Sequence, residues 1–227
     1  MGRNLVIPDI HGCYKTFDEL IDKINLQKDD NLYLLGDYID RGTDSSKVLD
    51  KIMLLSENFN VFPLLGNHEY DIIKAQEEYD TDAFYLFVKR LIKSPELLDE
   101  NKQIIKKYYD FMKNLPYYYE VGNFILVHGG IDFSNENIFE NKYALLSLRL
   151  FDNKVPADFD RIIVHGHNPT KIDEIRQKIN SKSKVISLDN GCVYNKPHKS
   201  FNYMQLGNLC CFNLDTYELI LQKNIEI

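Results

Sequence analysis

No stretch of the chain is rich in proline, glycine and serine together, no low-complexity segment interrupts it, and no repeat of about 20 to 50 residues recurs along it. A second domain would need a linker, so the 227 residues, 44% of them apolar, are expected to fold as one domain spanning residues 1–227. Long hydrophobic runs are missing too. Nothing approaches the roughly 20 residues of a membrane helix, and the apolar run after Met1-Gly2-Arg3-Asn4 is too short for a signal peptide. Val6 stands where a myristoylation signal wants Ser or Thr. These absences predict a cytoplasmic protein with no membrane partner. Positive charge is in deficit, with 27 Lys plus Arg against 34 Asp plus Glu and a net charge of -7. Such a surface repels a polyanion, so no nucleic-acid partner is expected, and the short basic runs at Lys106-Lys107 and 178–184 are expected to be solvated faces. Cysteine is scarce. Cys13, Cys192, Cys210 and Cys211 form no C-x-x-C pair, and reduced, buried thiols are expected instead of a disulfide framework.

What the chain does contain is a series of apolar runs of strand length at 5–7, 32–35, 61–65, 124–127, 162–164 and 185–188. They are continuous, not alternating, as strands covered on both faces are. Between the first two, Thr16-Phe17-Asp18-Glu19 has the form of a capping box, and Phe17, Leu20, Ile21 and Ile24 share one helix face. Asp44 precedes a second helical pattern through Val48, Leu49, Ile52 and Met53. Strand, helix and strand thus alternate, which predicts an α/β class. A helical insert is expected over about residues 70–116, with Phe84, Phe87 and Leu91 on one face and Ile104, Tyr108, Phe111 or Met112, and Leu115 on another. A hairpin turning at Gly122-Asn123 follows, and a second antiparallel pair is predicted over 204–212 and 217–221.

Each of the six apolar runs ends in polar residues of one chemical kind: Asp9-Ile10-His11-Gly12, Gly36-Asp37, Gly66-Asn67-His68-Glu69, His128-Gly129-Gly130, His165-Gly166-His167 and Asp189-Asn190-Gly191. Ligands of α/β sheets bind beyond the carboxyl ends of strands. Five of the six histidines fall in these loops, and only His198 lies outside them. Asp9 and His11 are separated by one residue, so in extended backbone both point to the same side and can grip one ion. Carboxylate, imidazole and amide oxygen without thiolate suit Mn, Fe or Zn better than Ca or Mg.

Asp9-x-His11-Gly12, Gly36-Asp37-x-x-Asp40-Arg41-Gly42, Gly66-Asn67-His68-Glu69, His128-Gly129-Gly130 and Gly166-His167, in this order, resemble the motifs of the calcineurin-like metallophosphoesterases, and more narrowly those of small phage and bacterial phosphoprotein phosphatases. The match runs from Asp9 to Cys192. It implies a central β-sandwich of mixed sheets flanked by helices, with the helical insert after the third central strand. It also implies two divalent metal ions, manganese first and iron or zinc as alternatives. Asp9, His11 and Asp37 would hold one ion, and Asp37, Asn67, His128 and His167 the other, with a hydroxide between the ions as nucleophile. His68 would be the general acid, Asp40 would orient it, and Arg41 and Arg149 would hold phosphate oxygens.

Departures from the family pattern are few. Gly129 replaces the usual Ala and is expected to be a harmless loss of a methyl. Asp189-Asn190-Gly191-Cys192 replaces Asp-Thr-Gly. Pro169 stands where diesterase branches place a further His, which favours the phosphatase branch. His165 is expected to be a supporting or core residue.

The resemblance implies a metal-dependent phosphatase of phosphate monoesters, acting on phosphorylated protein, as a serine/threonine phosphatase, or on small phosphoesters. The rival is a hydrolase of diadenosine tetraphosphate, whose relatives share the same motifs. A non-catalytic phosphopeptide-binding module is disfavoured because all six ligands and His68 carry the expected residue types.

Overall fold

The computed structural model describes residues 2–149, 154–194 and 205–226. His198 and Met204 lie outside that set. Strands β1 (Asn4–Ile7), β2 (Asn31–Leu34) and β3 (Asn60–Pro63) run parallel in one sheet. In a second sheet β4 (Tyr118–Val121) pairs antiparallel with β5 (Phe124–Val127), followed by β6 (Ile162–His165) and β7 (Val185–Ser187) in parallel. The chain then returns to the first sheet with β8 (Asn208–Asn213), antiparallel to β1, and β9 (Leu219–Lys223). The orders are β3-β2-β1-β8-β9 and β4-β5-β6-β7. The six continuous apolar runs are thus the six parallel strands, three in each sheet. Two mixed sheets flanked by helices are what the resemblance implied.

Side-chain alternation along each strand builds the layers. Val6, Leu35, Leu64, Leu126, Val164 and Phe212 pack together between the sheets. On the outer face of the first sheet, Leu5, Ile7, Leu32 and Leu34 meet Phe17 and Leu20 of α1 (Tyr14–Ile24) and Val48 and Ile52 of α2 (Ser45–Asn58). Each such buried aliphatic side chain contributes about 1.5–3 kcal/mol. A thinner outer layer covers the second sheet, where Ile125, Val127, Ile163 and Val185 meet Ile131 and Leu145. The four cysteines are free and buried, as expected. Among the described residues no helix is long and apolar enough to cross a membrane.

The insert comprises α3 (Asn67–Glu78), α4 (Thr81–Phe87), two short irregular turns and α5 (Lys106–Lys113). Phe84, Val88, Ile92, Ile104, Tyr108, Met112 and Leu115 bury into the same core as the first sheet's helices. Two expectations are corrected. Leu91 is 65% exposed. Val88–Ile92 winds as a π-turn, whose wider i to i+5 step carries the Phe84 face onto Val88 and Ile92. The Thr16 capping box does not form either, because α1 begins earlier, at Tyr14. Thr16 lies inside the first turn, and its N–H and hydroxyl donate to the Glu226 carboxylate (2.9 and 3.2 Å), an acceptor from the far end of the sequence.

A candidate metal centre where the two sheets meet

Register brings the loops together. Ile7 lies opposite Leu34, and Leu34 opposite Pro63. Val127 lies opposite His165, and His165 opposite Ser187. Each sheet therefore releases its three loops from one aligned edge. The first sheet supplies Asp9, His11, Asp37, Asp40, Arg41, Asn67 and His68, and the second supplies His128, His165, His167 and Asp189.

The turns are strained. His11, Asp37, Asp40, Arg41 and His167 have φ of 49°, 52°, 73°, 64° and 63°, five of the ten left-handed non-glycine residues among those described. Each such residue costs on the order of 1–3 kcal/mol, so surrounding bonds must hold it. Glu69 does much of that holding. Its buried carboxylate accepts from Asp37 N (2.8 Å), Tyr38 N (2.8 Å) and Ile39 N (3.1 Å), and reaches back to Gly66 N (3.2 Å). Glu69 is not among the candidate residues of the sequence. Its signal was there, since a Glu at the third position of a helix is the half of a capping box that reaches back to the N-cap. Gly66 is required at this junction, because a Cβ would come within 2.2 Å of Asp37 N.

Asp37 is the centre of the cluster. One carboxylate oxygen lies 3.3 Å from His128 Nε2, and the other lies 3.6 Å from His11 Nε2 and 3.7 Å from His68 Nε2. Asn67 Oδ1 is 2.9 Å from both His128 Nε2 and His167 Nδ1. Asp71, one turn further along α3, is a hydrogen-bond partner of the Asn67 side chain, which leaves Oδ1 to the histidines. Two groups emerge with ligand atoms mutually within 4.8 Å, namely His11, Asp37 and His68, and Asp37, His128 and His167. Asp37 is common to both. Asp9 stands apart from them, 4.0 Å from His11 Nε2, and both its oxygens accept from the His167 N–H at 3.0 Å, which ties one sheet to the other.

These residues fit a pair of divalent cations on three grounds. The donors are nitrogen and oxygen without sulfur. The Nδ1 atoms of His11 and His128 are held by the carbonyls of Ile39 (2.9 Å) and Leu35 (2.8 Å), which leaves each Nε2 facing Asp37. And the buried carboxyls Asp9, Asp37 and Asp189 crowd together with no Lys or Arg ion pair among the described residues. Burial, together with the Asp37 charge, pushes Asp9 up to about 6 and Glu69 up to about 7, and burial with the Asp9 charge drives Asp189 well above the carboxylate range. Burial opposes a charge on His128, yet the Asp37 carboxylate outweighs it and raises that imidazole to about 10. A buried site that gathers protons in this way has negative charge to offer a metal.

His68 is placed differently from the other imidazoles. Its Nδ1 is 2.7 Å from Asp40 Oδ2 and its Nε2 is 3.3 Å from Arg41 Nη2. Burial works against its protonation, but the Asp37 charge and the Asp40 hydrogen bond prevail, and its pKa is raised. His165 is buried, with Nδ1 against Gly166 O (2.9 Å) and Nε2 without a partner among the described residues. It is not in either ligand group.

A cavity of about 170 Å³ opens over the cluster, lined by Arg41, Asn67, His68, Arg149, His167, Pro169, Tyr194 and Leu206 among others. Both arginines singled out in the sequence reach it. Tyr194 was missed there. Its hydroxyl accepts from Arg41 Nη1 (3.1 Å), and the only available signal was an aromatic two residues after Cys192. A larger open cleft of about 490 Å³ runs along α7 (Ile172–Asn180) beside Lys171, Glu174 and Gln177, away from every one of the ligand candidates. The expectation for Gly129 is corrected. A Cβ there would lie 2.6 Å from Ser147 N and 2.7 Å from Leu146 C, so the missing methyl is a requirement of this packing.

The model of the calcineurin-like phosphoesterase family matches residues 2–209. The chain belongs to that family. As a phosphoesterase it is 36% identical over 115 residues to a symmetrical bis(5'-nucleosyl)-tetraphosphatase of Wigglesworthia glossinidia brevipalpis, a match spanning 44% of this chain and only 42% of that relative. It is 25% identical over 234 residues to the asymmetrical bis(5'-nucleosyl)-tetraphosphatase PrpE of Geobacillus sp. (strain WCH70), covering 90% and 91% of the two chains. Its fold is like that of a solved structure provisionally assigned as a diadenosine tetraphosphatase (TM-score 0.65, 20% identity, 100% and 95% coverage). It is also like that of a cold-active protein tyrosine phosphatase (TM-score 0.63, 17% identity, 99% and 77% coverage).

Proposed function

We propose that this phosphoesterase binds two divalent metal ions, manganese the best suited, and hydrolyses dinucleoside polyphosphates, with smaller phosphoesters as further substrates. The observation that carries the metal-dependent part is the single Asp37 carboxylate set between two groups of imidazoles, since a two-metal site needs one shared anion at its centre. When bound, the ions supply Lewis acidity and an activated nucleophile. Asp9, His11 and Asp37 are assigned to one ion and Asp37, Asn67, His128 and His167 to the other. Arg41 and Arg149 bind phosphate oxygens in the cavity above, with Tyr194 steadying the Arg41 fork. His68, held by Asp40, delivers a proton from Nε2 to the departing oxygen.

The choice of substrate rests on two supports. The curated relatives, one of them matched over nearly its whole length, are named as bis(5'-nucleosyl)-tetraphosphatases. Two arginines beside the apolar surfaces of Pro169, Tyr194 and Leu206 suit a ligand with several phosphates and a flat base. A phosphoserine or phosphothreonine protein is the second reading, and the His68–Asp40 pair favours it. A serine alkoxide leaves only with a proton, whereas a nucleoside polyphosphate is already a good leaving group. The test is a screen of the purified chain with added manganese on diadenosine tetraphosphate, phosphoserine peptides and an aryl phosphate. A kcat/KM for the dinucleotide at least about tenfold above the peptides supports the first reading, and the reverse order would replace it with the second.

A further inference from the structure

We propose that Gly129 is a positioning residue for substrate phosphate: by letting the helix α6 (Lys142–Ser147) seat against the loop that carries His128, it sets where Arg149 stands on the cavity wall. This rests on the reading of Arg149 as a phosphate-binding residue.

The seat is specific. Gly129 N donates to Leu145 O (2.7 Å) and Gly130 N to Ala144 O (3.0 Å), which also accepts from Leu148 N (3.1 Å), so two loop amides bind the last turn of α6. On the far side Leu145 is buried with Val127, Ile131 and Ile163. Between these contacts there is no room for a methyl. The atoms that a Cβ at Gly129 would strike, Ser147 N and Leu146 C, are backbone and cannot swing aside as the tip of a side chain can. Arg149 follows only two residues after the last residue of α6, a span of at most about 7 Å, so any shift of the helix end is passed to it.

The displacement should go to α6 and not to His128. β5, which ends in the His128 loop, is paired on both sides, with β4 and β6. The His128 ring is fixed separately by Leu35 O and Asn67 Oδ1. By contrast α6 is six residues long, belongs to no sheet, and is held by two loop hydrogen bonds, by Leu145 in a small apolar patch and by Leu146 in the core of the first sheet's helices. A methyl at Gly129 therefore lifts α6 off its seat, carries Arg149 away from His68 and His167, and leaves the metal ligands in place.

The test is a double-mutant cycle read on p-nitrophenyl phosphate with manganese, a probe that serves whichever natural substrate is correct. kcat, KM, bound metal and melting temperature are measured for the wild type, Gly129→Ala, Arg149→Ala and the double variant. Arg149→Ala should raise KM by about 10- to 100-fold, the worth of a charged hydrogen bond. Gly129→Ala should raise KM by about tenfold with metal content unchanged, and should add nothing beyond about twofold on the Arg149→Ala background. Additive losses, loss of metal from Gly129→Ala, or an unaltered KM in Gly129→Ala would each overturn the proposal while leaving the role of Arg149 intact. An unaltered Arg149→Ala would overturn both. If Gly129→Ala does not fold, Leu145→Val loosens the same seat from the core side and enters the same cycle with the same expected non-additivity.

Discussion

The two sheets feed one site, but with different material. Loops of the first sheet bring Asp9, Asp37 and Asp40, four of the five left-handed site residues, the Glu69 clamp and His68. Loops of the second bring three imidazoles, one left-handed residue, His167, and only one carboxyl, Asp189. The burden of strain and negative charge therefore lies on the first sheet, which is also the one backed by α1, α2 and the insert. The second sheet, under its thin outer layer, supplies imidazoles, with the rings of His128 and His165 aimed by the carbonyls of Leu35 and Gly166. The strained half is the one with the thicker support.

The largest effect separating the halves is expected at Asp37. Asp37→Asn should lose metal as well as activity, by at least about 10³-fold, because it removes the one charge that both groups share. Metal analysis of the purified variant checks this, and wild-type affinity for two ions would refute the shared role. Next comes His68→Asn, which should keep both ions and lower kcat by about 10²- to 10⁴-fold on a phosphoserine peptide. On p-nitrophenyl phosphate the loss should shrink, since a nitrophenolate departs without a proton. Asp40→Asn should be a milder copy of it. Equal losses on both substrates would move His68 from proton donor to phosphate binder.

Stability carries the comparison further. Glu69→Ala leaves four backbone N–H groups without their acceptor and should cost roughly 4 kcal/mol, measured by urea unfolding, at about 1–3 kcal/mol for each buried group left unmade and with partial relaxation. In the second sheet the corresponding probe is His165. Burial pushes its imidazole down to about 4. The unfolded residue takes its proton near 6.5, so between those values the unfolded state binds more protons, and stability falls as pH drops through that window. His165→Leu should remove that part of the acid loss, at most about 3 kcal/mol, and flatten the stability profile below about pH 6.5. A profile identical to the wild type would mean that His165 takes up its proton in the fold as readily as in the unfolded chain.

Much of this was legible in the amino-acid order. Continuous apolar runs gave the six parallel strands, because strands covered on both faces leave no room for alternation. The polar residues ending each run gave the ligand candidates, because those ends share one edge. What escaped depends on contacts between distant segments. Glu69 acts on backbone amides of the β2 loop some 30 residues away. Tyr194 matters through Arg41, and Gly129 through the backbone of α6. The failed capping box at Thr16 belongs to the same class, since its acceptor, Glu226, is 210 residues distant. Leu91 was misplaced for a local reason, a π-turn that breaks the 3.6-residue period on which the face was drawn.

The most direct test of the metal centre is titration of the chelator-stripped chain with manganese, following bound metal and p-nitrophenyl phosphate hydrolysis together. The expected result is no activity at zero metal, and recovery that completes only as the second equivalent binds. Full activity with metal measured as zero, or complete recovery with a single equivalent, would contradict a two-ion site built around Asp37.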